Sequence, residues 1–132
     1  NEIFHGKTHL DFFYQRFQSL IDADRMRVFQ GDSSSNLRNS DEHYDMIYID
    51  GDHTLEGVRR DAFAAIDKLN DDGILIFNDY IMCDYTQNIP YGVMHVVNDL
   101  CVNHGWKING FTLLNHMFCD VSLERREVIN KK

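Results

Sequence analysis

Asp50, Asp52 and His53 stand within one short run, Ile49-Asp-Gly-Asp-His53, directly after the apolar stretch Met46 to Ile49. Two carboxylates beside an imidazole suit proton transfer, because imidazole changes charge near neutral pH. Gly51 lets the backbone make a sharp exit from the preceding segment. Two further acids share this context: Asp32 follows Met26–Gln30, and Asp79 follows Ile74–Phe77. Any one such Asp is as readily a turn former or helix cap, and an isolated His is more often structural. Three acids at segment ends with His53 beside them point instead to one shared site. Asp50 and Asp79, with the Asn78 amide oxygen, make an oxygen-rich set that suits Mg²⁺ rather than zinc. A cation there would hold a substrate hydroxyl and lower its pKa; the pattern permits this without requiring it. His5, His9, His43, His95, His104 and His116 have no such company.

These side chains meet only if the elements behind them run side by side. Thr8-x-x-Asp11 has the form of a capping box, and Leu10, Phe13, Phe17 and Leu20 recur at helical spacing, so a helix is expected from about Thr8 to Ile21. Met26–Gln30 reads as a short strand ended by Gly31-Asp32-Ser33, and Asn36–Glu42 as a polar loop. Tyr44–Ile49 is a near-continuous apolar run, the mark of a strand buried on both faces in a parallel sheet. Leu55, Val58, Ala62, Ile66 and Leu69 predict a helix with Thr54 as N-cap, ended by Asn70-Asp71-Asp72-Gly73. Ile74–Phe77 is a second buried strand. Ile81–Tyr91, with the only proline at Pro90, reads as a surface loop. Val93, Val96, Val97 and Leu100 mark a helix that Gly105 stops. Trp106–Leu114 and Met117–Leu123 read as an antiparallel strand pair joined at Leu114-Asn115-His116 and closing the sheet. Alternating strands and helices predict one α/β domain, with ligands at the carboxyl ends of its strands.

Composition narrows the partners. Among 132 residues, 21 acids outnumber 13 bases, for a formal charge of −8, which excludes a general nucleic-acid binder. Arg59-Arg60 and Arg125-Arg126 read as solvated charge pairs. Cys83, Cys101 and Cys119 form no C-x-x-C pair, which excludes zinc ribbons and thioredoxin-like redox motifs. Isolated thiols suit a reducing compartment, so a cytoplasmic location is expected. No apolar run approaches the ~20 residues of a membrane span, and no signal-peptide pattern is present. The first residue is Asn1 rather than Met, so a natural start upstream is expected.

The run Tyr44 to His53 resembles the fourth strand and following turn of class I S-adenosylmethionine-dependent methyltransferases. It is most similar to a branch with an IDGDH-x-x-x-x-V-x-x-D signature, matched by Val58 and Asp61. Gly73 to Tyr80 resembles the GGxIxxxDY fifth strand of that branch, with Asp71-Asp72-Gly73 where Pro-Gly-Gly is usual. Gly31-Asp32-Ser33 resembles the turn whose acid contacts the cofactor adenine, and Gly92-Val93 with its helix also fits. The resemblance spans about Met26 to Leu123. It implies a Rossmann-like three-layer sandwich, a mostly parallel sheet ending in an antiparallel strand pair. It implies S-adenosylmethionine as cofactor, with Asp32, Ser33 and Asp50 contributing to its site. The similar metal-dependent sugar O-methyltransferases place their catalytic histidine on His53 and metal ligands on Asp50, Asn78 and Asp79. Asn78 stands where an acid is usual and removes one negative charge from that set.

The implied reaction is O-methylation of a small-molecule acceptor, with His53 as general base and Mg²⁺ as an optional aid. The pattern departs from the family in one large respect: no G-x-G spacing occurs, and neither the glycine-rich loop nor the ribose-binding acid precedes Thr8. Residues 1–132 therefore read as a partial methyltransferase domain, its carboxyl-terminal two-thirds, with the first βαβ unit missing. The Met26–Gln30 and Tyr44–Ile49 strands would then have unpaired edges, which invite pairing. An upstream segment, a homo-oligomeric partner, or the Met26 strand moving beside the Tyr44 strand would each complete the sheet. The alternative from a different class is a non-catalytic Rossmann-like module that serves assembly or regulation. A different nucleotide-binding enzyme is disfavoured, because no Walker or dinucleotide loop is present.

Overall fold

The structure, a computed structural model, describes residues 8–115 and 118–127. The chain divides into two compact units, Asn1–Gly31 and Asp32–Lys132. The first is built on helix α1 (His9–Asp22). Its start is the expected capping box: the Thr8 hydroxyl accepts from Asp11 N–H at 3.1 Å, and the Asp11 carboxylate accepts from Thr8 N–H at 3.0 Å. Phe13 and Phe17 meet along the apolar stripe with ring centroids 4.7 Å apart and planes tilted at 50°.

Met26–Gln30 is not a strand. It takes no regular structure, and no strand among the described residues forms a ladder with it. Met26, Val28 and Phe29 give the segment a strand-like composition, but composition makes a strand only where a neighbouring strand completes the ladder. The polar loop expected after it is largely helical instead: α2 covers Ser33–Asn39. Asp32 starts that helix, its Oδ1 accepting from Ser35 N–H at 2.8 Å and Ser34 Oγ–H at 2.7 Å. Serine favours a helix weakly, but the cap satisfies one of the orphan first-turn donors and Leu37 packs against the core.

The rest of the second unit runs β1 (Tyr44–Ile49), α3 (Leu55–Ile66), β2 (Leu69–Phe77), β3 (Cys83–Asp84), β4 (Ile89–Pro90), α4 (Val93–Asn103), β5 (Trp106–Leu113) and β6 (Cys119–Arg125). The main sheet has the order β1-β2-β6-β5, with β3 and β4 forming a separate small hairpin inside the expected surface loop. β1 and β2 are parallel, with Ile47 opposite Leu75 and Ile49 opposite Phe77. β6 joins β2 antiparallel, and β5 joins β6 antiparallel, the closing pair expected from the sequence. The His116–Met117 part of that connection lies outside the described residues. β2 begins at Leu69 rather than Ile74, its polar Asn70-Asp71-Asp72 stretch exposed and accommodated by a register shift opposite Tyr44–Met46.

Strand alternation sends Leu75, Phe77, Val121 and Leu123 into one face, where Val58, Ala62 and Ala65 of α3 and Val93, Val96, Val97 and Leu100 of α4 meet them. On the opposite face Met46 is 60% and Tyr48 46% exposed, so β1 is not the strand buried on both faces that its apolar run suggested. β1 is an outer strand of this sheet. Arg125 and Arg126 are not merely solvated. Arg125 donates to the carbonyls of Asn70 (3.0 Å) and Ile66 (3.2 Å) and lies 4.8 Å over the Trp106 ring, while Arg126 donates to the carbonyls of Trp106 (2.9 Å) and Cys101 (2.7 Å). These bonds tie the end of β6 to the carbonyl ends of α3 and α4. Cys83, Cys101 and Cys119 are free thiols. Among the described residues no helix is long and apolar enough to cross a membrane.

Phe77 is wholly buried at the centre of this core. Phe77→Ala is expected to cost about 3–5 kcal/mol, read as a lowered midpoint in urea unfolding with an unchanged slope.

Candidate functional site

The site begins with the β1–β2 register. Because Ile49 lies opposite Phe77, the chain leaves both strands side by side, and Asn78 N–H donates to Ile49 C=O at 3.0 Å. Asp50 and Asp79 thus emerge at the same edge. Asp79 has φ 56, in the left-handed region that short polar residues tolerate at a modest cost. His53 Nε2 stands 3.5 Å from Asp79 Oδ2 and 3.8 Å from Asp50 Oδ1. The expected meeting of His53 with these two acids is therefore what forms.

The two acids differ in environment. Asp50 is 53% exposed and Asp79 only 15%. Burial pushes the Asp79 carboxyl above its usual range; His53 opposes that shift, while Asp50 and Asp120 add to it. Both gaps to His53 exceed the 2.7–2.9 Å of a charge-assisted hydrogen bond. His53 Nε2 and Asp79 Oδ1 are the buried side-chain polar atoms without a hydrogen-bond partner among the described residues. Buried polar atoms are nearly always satisfied, so an unpaired ring nitrogen beside a carboxylate that also has an unpaired oxygen suits an incoming polar group.

His53 is held from behind. Its ring stacks on Tyr91 with centroids 4.5 Å apart and planes at 24°, and its carbonyl accepts from Gly92 N–H at 2.8 Å. The contact needs glycine: a Cβ on Gly92 would lie 2.3 Å from the Leu55 Cα. Around it, the Asp50–Asp61 stretch is mostly scaffold. Asp52 accepts from Thr54 N–H at 2.9 Å, and Thr54 caps α3 by accepting from Gly57 N–H at 3.1 Å. Asp61, buried in α3, accepts from Ser33 Oγ–H at 3.0 Å, and a side chain on Gly51 would press on its Oδ2 at 3.3 Å.

Asp32 does not join this cluster, and it follows no strand. Its contacts are the α2 cap and Arg60, 3.4 Å away, and these hydrogen bonds hold its pKa down to about 2. Ser33 spends its hydroxyl hydrogen on Asp61. Asn78 turns away from Asp79: its amide donates to Asp120 Oδ1 at 3.0 Å, while Tyr48 O–H donates to Asp120 Oδ2 at 3.2 Å. Asp50, Asn78 and Asp79 thus divide between two clusters, and among the described residues no group of three His, Cys, Asp or Glu side chains gathers to hold a metal ion. The donor set does not fit Mg²⁺. Sequence reasoning missed Tyr91 and Asp120; neither has a local signal, since one follows the only proline and the other sits mid-strand.

Residues 3–80 match the sequence profile of a methyltransferase domain. The chain belongs to that family. No curated protein sequence matches it significantly. Among solved structures, this methyltransferase-family fold is similar to a Klebsiella pneumoniae protein described as an O-methyltransferase (TM-score 0.65, 12% identity, 89% of this chain and 57% of that one). It is similar to an SAH-bound methyltransferase from Podospora anserina (TM-score 0.60, 14% identity, 86% and 54%). A Clostridium thermocellum protein described as an rRNA methylase shares the fold as well (TM-score 0.58, 15% identity, 85% and 67%). The chain thus spans little more than half the length of the first two.

Two outcomes test these environments. Asp79→Asn keeps a residue that tolerates φ 56 and removes a charge that burial disfavours. A raised Asp79 pKa gives stability present below 3.8 and lost as pH rises through the folded value, so at neutral pH the neutral amide is expected to raise the melting temperature by a few degrees. Asp32 works in the opposite sense: its depressed pKa gives stability present above 3.8 and lost as pH falls toward about 2. Amide exchange at Ser35 is expected to accelerate across that window, and Asp32→Ala to abolish the pH dependence.

Proposed function

We propose that the chain carries the proton-transfer half of an S-adenosylmethionine-dependent methyltransferase acting at oxygen on a small molecule. The observation that carries this reading is His53 Nε2, buried, unpaired and flanked by Asp50 and Asp79 where two parallel strands end. S-adenosylmethionine, when bound, supplies a methyl group on a sulfonium sulfur, which the acceptor oxygen displaces as a neutral thioether. His53 takes the acceptor hydroxyl proton at Nε2, and the two carboxylates stabilise the imidazolium that results. Tyr91 and Gly92 hold the ring so that the nitrogen stays aligned, and alignment of this kind carries much of the rate in displacement chemistry.

The cofactor contacts proposed for this chain are Asp50 and Asp32, with Ser33 contributing only its oxygen lone pairs. Asp50 presents an exposed carboxyl group, which suits a neighbouring positive charge. Asp32 Oδ2, opposite exposed Arg60, retains capacity to accept from an adenine amino group. Mg²⁺ has no part in the proposal, since its expected ligands diverge. A second reading, a Rossmann-like module without cofactor that serves assembly, is favoured by the intramolecular commitments of Asp32 and Ser33.

Calorimetric titration with S-adenosylhomocysteine separates the two. Micromolar binding that weakens in Asp50→Asn is expected and favours the enzyme, whereas no binding overturns cofactor binding by this chain and leaves either a fragment or the module. His53→Gln is expected to bind S-adenosylhomocysteine like the parent protein while transfer to a hydroxylated acceptor falls about 10²–10⁴-fold.

A further inference from the structure

His53 also borders a cavity of about 480 Å³ between the start of α3, the β3–β4 hairpin and the first turn of α4. That volume falls within the roughly 300–1,000 Å³ of small-molecule sites. Its apolar walls are Leu55, Ile89, Pro90 and Tyr91. Leu55 is 47% and Ile89 54% exposed, so two aliphatic side chains face one concavity still in contact with water, and a ligand with an apolar face would cover both.

The wall is built rather than loose. Cys83 pairs with Pro90 and Asp84 with Ile89, and Tyr91 N–H donates to Met82 C=O at 3.0 Å. Asp84 closes the hairpin turn by accepting from Thr86 N–H at 2.8 Å and Gln87 N–H at 3.1 Å.

The charges along the cavity have one sign. Asp52 and Asp84 line it together with the imidazoles of His53 and His95, and among the described residues no Lys or Arg does. Hydrogen bonds from Thr54 hold Asp52 below the usual carboxylate range, and those from Thr86 and Gln87 do the same for Asp84, so both are anionic at neutral pH. A carboxylate or phosphate entering here meets two carboxylates, only Asp52 being offset from outside the lining by Arg60, and like charges brought together on binding are disfavoured.

We infer that this cavity seats the methyl acceptor and selects an uncharged, hydroxyl-bearing ring compound over one carrying a carboxylate or phosphate. The ring lies between Leu55, Ile89 and Tyr91, and the hydroxyl reaches toward His53. The inference rests on the methyl-transfer reading above, and it assigns the β3–β4 hairpin a specificity role.

The test follows the His53 imidazole resonance by NMR while the protein is titrated with phenol or with 4-hydroxybenzoate, a pair that differs by one carboxylate. Phenol is expected to shift the resonance saturably, and 4-hydroxybenzoate to bind about ten-fold or more weakly. In the Asp52→Asn, Asp84→Asn double variant, both of whose amides still accept the turn hydrogen bonds, that gap is expected to close. Ile89→Lys is expected to invert the preference. No saturable shift with phenol, or equal affinity for the two probes in the parent protein, overturns the inference. The readout needs neither cofactor nor turnover. Selective phenol binding by a protein that transfers no methyl group would support the cavity and its selectivity while overturning the reaction assigned to His53.

Discussion

Ile49 and Phe77 face each other across a parallel ladder, and both point into the apolar layer beneath α3 and α4. That single register sets where every reactive group goes. Strand side chains alternate with period two, so slipping β2 by one residue would turn Leu75 and Phe77 out of the core. The burial of Leu75, Phe77, Val121 and Leu123 forbids the slip. Hydrophobic phase-locking in the centre of the sheet therefore fixes, at its edge, the side-by-side exit of Asp50 and Asp79. The reactive edge inherits its precision from the core, which suits a site that must hold polar atoms to within a fraction of an ångström.

The turn after β1 shows how one short sequence serves both structure and chemistry. Asp50 and His53 face the site, while Asp52 braces Thr54, and Thr54 caps α3. Gly51 leaves room for buried Asp61, which reaches across to Ser33 at the start of α2. Gly57 has Asp52 against its backbone, so close that a Cβ would lie 2.3 Å from the carboxylate. Val58 enters the core. The residue pattern from Ile49 to Asp61 is thus a steric and hydrogen-bonding unit, in which two members are left over for reaction.

Asp79 and His53 sit in tension with stability. Asp79 combines a left-handed backbone, burial and two nearby carboxylates, and Nε2 of His53 lacks a hydrogen-bond partner. Each feature opposes folding slightly, and functional sites are where such features accumulate. The surrounding structure offsets them with rigid support: the Tyr91 stack, the Gly92 hydrogen bond and a closely packed helix pair. By contrast, the arginine ties at the end of β6 are satisfied throughout and read as scaffold.

Where apolar period and turn chemistry agreed, the residues alone were enough. The Thr8 cap, the α3 and α4 stripes, the β1 and β2 runs and the closing antiparallel pair were all legible, because each depends on side chains close in the chain. The adjacency of Asp50 and His53 was legible for the same reason. Met26–Gln30 had a strand-like composition but no strand, since a ladder needs a partner that local sequence does not supply. Ser33–Asn39 had loop-like residues yet formed a helix, since a cap at Asp32 and packing by Leu37 outweighed weak propensity. Asn78 and Asp79 are neighbours whose side chains part toward Asp120 and His53, and Tyr91 reaches His53 from 38 positions away. Those outcomes depend on which distant atoms compete for a given hydrogen bond or ring face, and only the folded chain brings the competitors together.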